Sequence, residues 1–510
     1  MTVLNTLLET FRQTATDTRD LGDKFEKLIA NVLVTDPLYA NEYSNVWLWN
    51  EWQHRSGADV GIDLVAKTKT GEYHAIQCKF YAPDHQLQKS DIDSFFTASG
   101  KSFATNEGTK QFSHRFIFST TDKWSKHAEE ALDNQNPPCN RISLTDLENS
   151  AIDWNKFSLE RPQDIQLKPK KTLRPHQKTA LEKVEAGFKT ADRGKLIMAC
   201  GTGKTYTALK IAEKLAPEHG IVLFLVPSIA LLSQTLREWT TEADKTLQCF
   251  AVCSDSKVGK KSDNEDISTH DLAFPATTDT HKLVHQIQAF HGKKQLTVIF
   301  STYQSIAVVA EAQNRGLPEF DLIICDEAHR TTGVTIAGED DSHFVKVHDQ
   351  DFIKAKKRLY MTATPRLFSD NAKTEAKESD ATLCSMDDLN LYGEEFHRLG
   401  FSEAVSNGLL SDYKVMVLAV DEKYISLAFQ NQITDENNEI NLEDAVKIMG
   451  CWNGLSKRMA KDAEGNDLET DNNPMRRAVA FSGSIHAQCL SLPRIFGNNS
   501  KFLKLLSNNL

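Results

Sequence analysis

The stretch that most restricts the fold is "KLIMACGTGKTYTALKIAEKL", which begins at Lys195. An apolar run breaks at glycines and resumes with helical spacing. That pattern predicts a strand, a tight loop and a helix in immediate succession. Gly201 and Gly203 let backbone N–H groups turn inward, and the helix that follows offers its N-terminus to an anion. Lys204 is placed to reach β- and γ-phosphates, and the Thr205 hydroxyl to take Mg²⁺. The longer phosphate-loop pattern has a further glycine where Met198 stands, so only the G-x-G-K-T core is present.

The stretch "FDLIICDEAHR" supplies the matching half of an ATP site. Asp326 suits a Mg²⁺ held through water, and Glu327 suits the polarisation of an attacking water. Two carboxylates at the end of so apolar a strand are costly unless they serve a metal or a base. Around them "KLIMA", "IVLFLV", "LTVIFST", "LIICDE" and "RLYMTAT" alternate with helical stretches. The expected architecture is α/β, a doubly wound parallel sheet with nucleotide at the carboxyl ends of its strands. Polar stretches at 254–294 and 333–356 read as surface insertions.

A different pattern precedes it. In "GIDLVAKTKTGEYHAIQCKFY" the period is two. Ile62, Leu64 and Ala66 fall on one face of a strand, Asp63 and Val65 on the other. In the next strand Ile76, Cys78 and Phe80 share a face, opposite Ala75, Gln77 and Lys79. With Lys69-Thr70-Gly71 as the turn, Thr68 pairs with Glu72 and Asp63 with Gln77. Asp63, Gln77 and Lys79 then converge on one patch. A solvated polar face with a snorkelling lysine would give the same alternation. Upstream, Phe25, Leu28, Ile29, Val32 and Leu33 make a helical stripe with Glu26 at its edge. Downstream come a helix at "DIDSFFTASG" and strands at "RFIFSTT" and "RISL". Mg²⁺ is commonly held by one or two carboxylates, with water and phosphate completing its shell. Asp63 is the direct ligand candidate, and Gln77 adds a neutral oxygen. Glu26 could act through a water, and Lys79 could steady the attacking water or the charge on phosphate. Asp59 is a weaker ligand candidate.

These elements resemble the Mrr-type members of the restriction-endonuclease fold across residues 20–150, with Asp63, Gln77 and Lys79 at the G-I-D and (E/Q)-x-K positions and Glu26 as the helix acid. The DEAH-type box resembles superfamily 2 helicases and translocases. On that resemblance "LRPHQ" is the motif in which Gln177 reads the adenine edge with Arg174 in support, and Thr202 and His329 join the nucleotide site. "LVPSIALLSQT", "FSTYQS" and "LYMTATP" would place Ser228, Thr302 and Gln304 toward DNA, and Thr362 and Thr364 between DNA and ATP. The combination most resembles the Type ISP restriction enzymes. It implies a Mrr-like nuclease at 1–158, a linker at 159–172, a RecA-like lobe at 173–370, a connector at 371–410 and an incomplete second RecA-like lobe at 411–510. It also implies ATP and Mg²⁺ as cofactors and double-stranded DNA as partner.

The 510 residues suit several domains, and 40% hydrophobic with 25% charged is ordinary for a globular protein. No apolar run reaches the ~20 residues of a membrane span. The nine cysteines form no CxxC pair, which fits a reducing cytoplasm. A net charge of −11 confines DNA contact to local patches. "KPKKTLRPHQK" at 168–178 is one such patch or a solvated linker. "NPPC" at 136–139 resembles a methyltransferase motif but lacks its aromatic residue and a glycine-rich cofactor loop upstream, and reads as a loop. "RRAVAFSGS" resembles motif IV, yet no Q-x-x-G-R-x-x-R precedes Leu510. The expectation is therefore weak ATP turnover by this chain alone. The first reading the resemblance implies is the nuclease and ATP-dependent translocase part of a restriction-modification enzyme that cleaves duplex DNA. The alternative is a non-cycling ATP- and DNA-binding remnant, or a subunit that needs a second chain carrying the rest of the motor, a methyltransferase and target recognition. A DNA-repair helicase–nuclease is a further alternative.

Overall fold

The computed structural model describes residues 2–55, 61–157, 164–254, 268–290, 293–336, 342–371, 374 and 381–413. The described residues up to Leu410 form one compact unit. The motif-IV stretch, its Arg476 and Arg477, the rest of the expected second lobe and Asp59 lie outside the described residues.

The N-terminal part is built on a sheet in the order Tyr43–Leu48, Leu64–Thr68, Tyr73–Lys79, Phe112–Ser119, Cys139–Ile142. The first pairings are antiparallel and the last two parallel. The hairpin register is the expected one: Leu64 faces Ile76, and Thr68 N–H donates to the Glu72 carbonyl at 2.9 Å. Alternation puts Leu64, Ala66 and Ile76 against the helix Thr18–Thr35, whose Phe25, Leu28, Ile29 and Val32 are buried. Val65 and Ala75 face the other way, onto Trp49, Trp52 and Phe95.

The alternation fails in one place. Ile62 packs with Val65 and not with Leu64. The strand proper starts at Leu64, and Gly61 just before it has φ +95°. A Cβ at Gly61 would lie 2.8 Å from Ser94 Oγ, so the chain passes too close to the helix Asp93–Ser99 for any other residue.

The second part is a seven-stranded parallel sheet. Its order is Leu247–Val252, Leu296–Thr302, Ile221–Val226, Leu322–Cys325, Arg358–Thr362, Arg193–Met198, Glu394–Leu399. All its pairings are parallel, as the doubly wound pattern requires. Two of these strands were not among those named from sequence. Leu247–Val252 lies on one edge. On the other, the stretch read as a connector pairs through Glu394–Leu399 with Arg193–Met198.

The basic stretch between the two parts is fastened down. Lys168 Nζ donates to the Ser150 carbonyl at 2.7 Å. Lys170 Nζ reaches the Ala243 carbonyl, and Lys171 pairs with Glu238 at 3.0 Å. These lysines hold the tether to protein. "NPPC" forms the approach to the strand Cys139–Ile142, and the Pro137 carbonyl accepts from Arg115 Nη1 at 2.8 Å.

Candidate functional site

The hairpin site is assembled by side chains that continue the strand ladder. Asp63 Oδ2 accepts from the Cys78 backbone N–H at 2.6 Å. Gln77 Nε2 donates to the Gly61 carbonyl at 3.0 Å. Asp63 is thus pinned at the strand position between Gln77 and Lys79, and Gln77 is pinned to the turn that leads into Asp63. Burial pushes the Cys78 thiol well up, Asp63 and Glu26 add to the shift, and Lys79 opposes it. All three charges therefore lie within electrostatic reach of the Cys78 thiol.

Gln77 is 1% exposed, and its Oε1 has no hydrogen-bond partner. A buried amide oxygen left unpaired costs about 1–3 kcal/mol. A divalent cation would satisfy it, and Asp63, held at the amide of the next residue, is the carboxylate that would share such an ion. Among the described residues no group of three or more His, Cys, Asp and Glu is placed to hold a metal. A Mg²⁺ site with one or two protein carboxylates does not need such a group.

The phosphate loop lies between the strand Arg193–Met198 and the helix Lys204–Leu215. Gly201 and Gly203 have φ +82° and +85°, which turns their amides inward. Gln177 braces this loop. Its Oε1 accepts from Arg174 N–H at 2.9 Å, and its Nε2 reaches the Thr202 and Gly203 carbonyls at 3.3 and 3.4 Å. Both ends of the amide expected to read adenine are thus used inside the fold, while Arg174 is exposed. His176, which the sequence reading passed over, bonds the Thr202 carbonyl at 2.9 Å. Thr202 Oγ1 closes the loop on the Ala199 carbonyl at 2.7 Å. Lys204 Nζ rests 3.9 Å from Cys200 Sγ. Thr205 is half-buried, and its carbonyl accepts from Trp239 Nε1 at 3.1 Å.

Asp326 is buried, and its carboxyl is pushed up to about 6 by burial and by Glu327, with Lys204 opposing. Its Oδ1 accepts from the Glu327 N–H at 3.0 Å. Glu327 has φ 48°, a left-handed conformation unusual for a non-glycine residue. Such strain persists where the surroundings over-determine it. The surroundings here are a polar network that had no sequence signal. The Tyr303 hydroxyl holds the Asp326 carbonyl at 2.9 Å. Thr331 Oγ1 meets the Tyr392 hydroxyl at 3.0 Å. His348 bonds the Tyr360 hydroxyl at 2.9 Å and the Thr331 carbonyl at 3.2 Å. His329 Nδ1 lies 3.0 Å from Thr362 Oγ1 and 3.4 Å from Glu327 Oε2. The Thr362 hydroxyl in turn accepts from the Thr364 N–H at 3.2 Å.

The residues expected near DNA are also engaged within the fold. Ser228 caps the helix Ile229–Glu242 through Leu231 N–H at 3.4 Å. Thr302 is buried and bonds Ser305 at 3.2 Å. Gln304 Nε2 holds the Pro227 carbonyl at 3.3 Å, while its Oε1 is buried and unpartnered.

A restriction-endonuclease family model matches residues 34–164, and one for the res subunit of Type III restriction enzymes matches residues 170–367. The chain is thus a restriction-type nuclease domain joined to a helicase domain. The particular kinship is narrower. The solved ATP-dependent Type ISP restriction-modification enzyme LlaBIII, bound to DNA, superposes with a TM-score of 0.76 at 43% identity, over 91% of this chain and 29% of that one. Over the part it spans, the chain is similar to that Type ISP enzyme. More distant relatives are the Escherichia coli Type I restriction enzyme EcoAI endonuclease subunit, 25% identical over 68% of this chain and 38% of that protein, and the probable helicase A859L of African swine fever virus (isolate Pig/Kenya/KEN-50/1950), 27% identical over 52% of this chain and 26% of that one. The chain spans less than two fifths of each. No described helix is long and apolar enough to cross a membrane.

Proposed function

We propose that the chain is the nuclease and ATP-driven motor part of a restriction enzyme that cuts double-stranded DNA. The observation that carries this reading is the coexistence, in one compact unit, of a strand that anchors Asp63 and carries the orphaned amide oxygen of Gln77 with a phosphate loop whose Lys204 acts on Asp326. Mg²⁺ at each site would polarise phosphate oxygens and favour ionisation of a bound water. Asp63 and Gln77 would hold it at the nuclease. Lys79 supplies positive charge where negative charge grows on the phosphate. At the motor, Lys204 and the first amides of its helix receive the phosphates, Thr205 and Asp326 take the metal, and Glu327 orients the attacking water.

The test is nicking of supercoiled plasmid by the purified chain with Mg²⁺. Asp63→Ala and Lys79→Ala should abolish it, with ATP binding retained. Lys204→Ala should abolish ATP binding, with nicking retained. Loss of both activities in either class of variant would refute the two-site reading. The finer reading is that a second chain completes the motor and brings target recognition. ATP-driven cutting by this chain alone would refute it.

A further inference from the structure

The nuclease and the first motor lobe meet over several elements, and one strand edge lies among them. The strand Cys139–Ile142 ends the nuclease sheet, and Asn140 on it is buried. Its Nδ2 lies 3.0, 2.8 and 3.4 Å from the carbonyl oxygens of Thr269, Leu272 and Phe274 of the motor part. Its Oδ1 lies 2.7 Å from His114 Nε2 on the neighbouring nuclease strand. The donors of this amide are spent on the motor and its acceptor on the nuclease. Behind His114 the file continues. The His74 ring lies 5.5 Å from it, and His74 Nδ1 meets the Tyr43 hydroxyl at 3.0 Å.

Charged contacts flank this file. Arg141 pairs with Asp271 at 2.5 Å and Arg237 with Asp146 at 2.6 Å. Glu72 of the hairpin takes Gln286 at 2.7 Å and Lys282 at 3.4 Å. Between them Leu38, Leu232, Leu236, Leu272 and Phe274 share one apolar cluster. The void left among them is about 10 Å³, no more than a single water needs.

We propose that Asn140 is a positioning residue that locks the nuclease to the first motor lobe, so that the two move on DNA as one body. A nuclease swinging on a loose tether would repeatedly expose the Asn140 amide's partner carbonyls and the apolar cluster beneath them. The surface instead resembles a domain interior. The functional consequence rests on the nuclease-plus-motor reading above, but the lock itself does not.

The test places a fluorophore pair at Lys126 and Lys214, both exposed, in the full chain and measures single-molecule transfer efficiency. The wild-type chain should give one narrow population, unchanged by Mg²⁺ and an ATP analogue. Asn140→Leu removes both halves of the amide's bonding and should broaden the population. Asn140→Asp keeps an acceptor toward His114 but turns a carboxylate onto three carbonyls, and should broaden it as well. Both variants should keep Mg²⁺-dependent nicking and ATP binding, which separates positioning from unfolding. If they fail to fold, Arg141→Ala combined with Arg237→Ala loosens the flanks and should broaden the population. A broad wild-type population, or variants as narrow as wild type, overturns the lock. A narrow wild-type population in a chain that never nicks overturns the nuclease reading and leaves the lock standing.

Discussion

Replacing Gln77 by Glu tests the hairpin site most sharply. Many nucleases of this type carry Glu at this position, so the change looks conservative. The structure says otherwise for the metal-free protein. Gln77 Nε2 donates to the Gly61 carbonyl at 3.0 Å, and a carboxylate would put two acceptors face to face there. The lost hydrogen bond and the unpaired carbonyl cost about 1–3 kcal/mol. A buried charge without a partner raises the penalty toward ~3–5 kcal/mol, unless the new acid takes up a proton. The metal-free variant should therefore be about 3 kcal/mol less stable. Mg²⁺ reverses the sign, because a carboxylate then meets a cation. At a hundred times its dissociation constant a ligand adds ~2.7 kcal/mol. The wild type gains from Mg²⁺ as well, so saturating Mg²⁺ should bring Gln77→Glu back to within about 2 kcal/mol of wild type. It should also lower the Mg²⁺ needed for half-maximal nicking by roughly tenfold, equivalent to ~1.4 kcal/mol. The assays are unfolding with and without Mg²⁺ and a Mg²⁺ titration of plasmid nicking. A variant as stable as wild type in EDTA, or one that gains no more from Mg²⁺ than wild type does, refutes the argument.

Gly203→Ala should cost about 2–4 kcal/mol and abolish the stabilisation by ATP, because a Cβ there has φ +85° and lies 2.4 Å from Gln177 Nε2; calorimetry with and without nucleotide reads both effects. Acid should destabilise the fold around His114, because a charged imidazole is costly where it is buried. His114 is held down to about 3 by burial, with Lys282 and Arg115 in the same direction and the Asn140 bond opposing. A folded value below the unfolded one means stability is complete above about pH 6.5 and is lost as pH falls through the window toward 3, at ~1.4 kcal/mol per unit for this group. Unfolding of His114→Asn followed from pH 7 to 5 should show a shallower fall than wild type; an equal slope refutes the assignment.

The sequence alone was enough for much that depends on local periodicity, though the apolar edge strand Leu247–Val252 was not named from it. Apolar runs of strand length, helical stripes and glycines at turns gave the parallel sheet and the hairpin register, because a period of two or 3.6 leaves little freedom about which face is buried. Thr68 opposite Glu72 followed from the placement of Gly71. The places of Lys204, at the start of the helix after the glycine loop, and of Asp326 and Glu327, just past the strand Leu322–Cys325, follow from the same local pattern. Periodicity fails where the chain bends under tertiary contact. Ile62 changed faces because Gly61 passes against Ser94, far away in sequence. The Glu394–Leu399 strand was missed because its polar residues lie on a sheet edge. The inward turn of Gln177, the orphaned oxygen of Gln77 and the His348–Tyr360–Thr331–Tyr392 network are contacts between distant residues, and no local pattern encodes which side chains will meet. The docking of Asn140 on the 269–274 backbone is of the same kind. Only the packed chain decides where a buried amide will find its carbonyls, because any carbonyl in the right place satisfies it regardless of the side chain beside it.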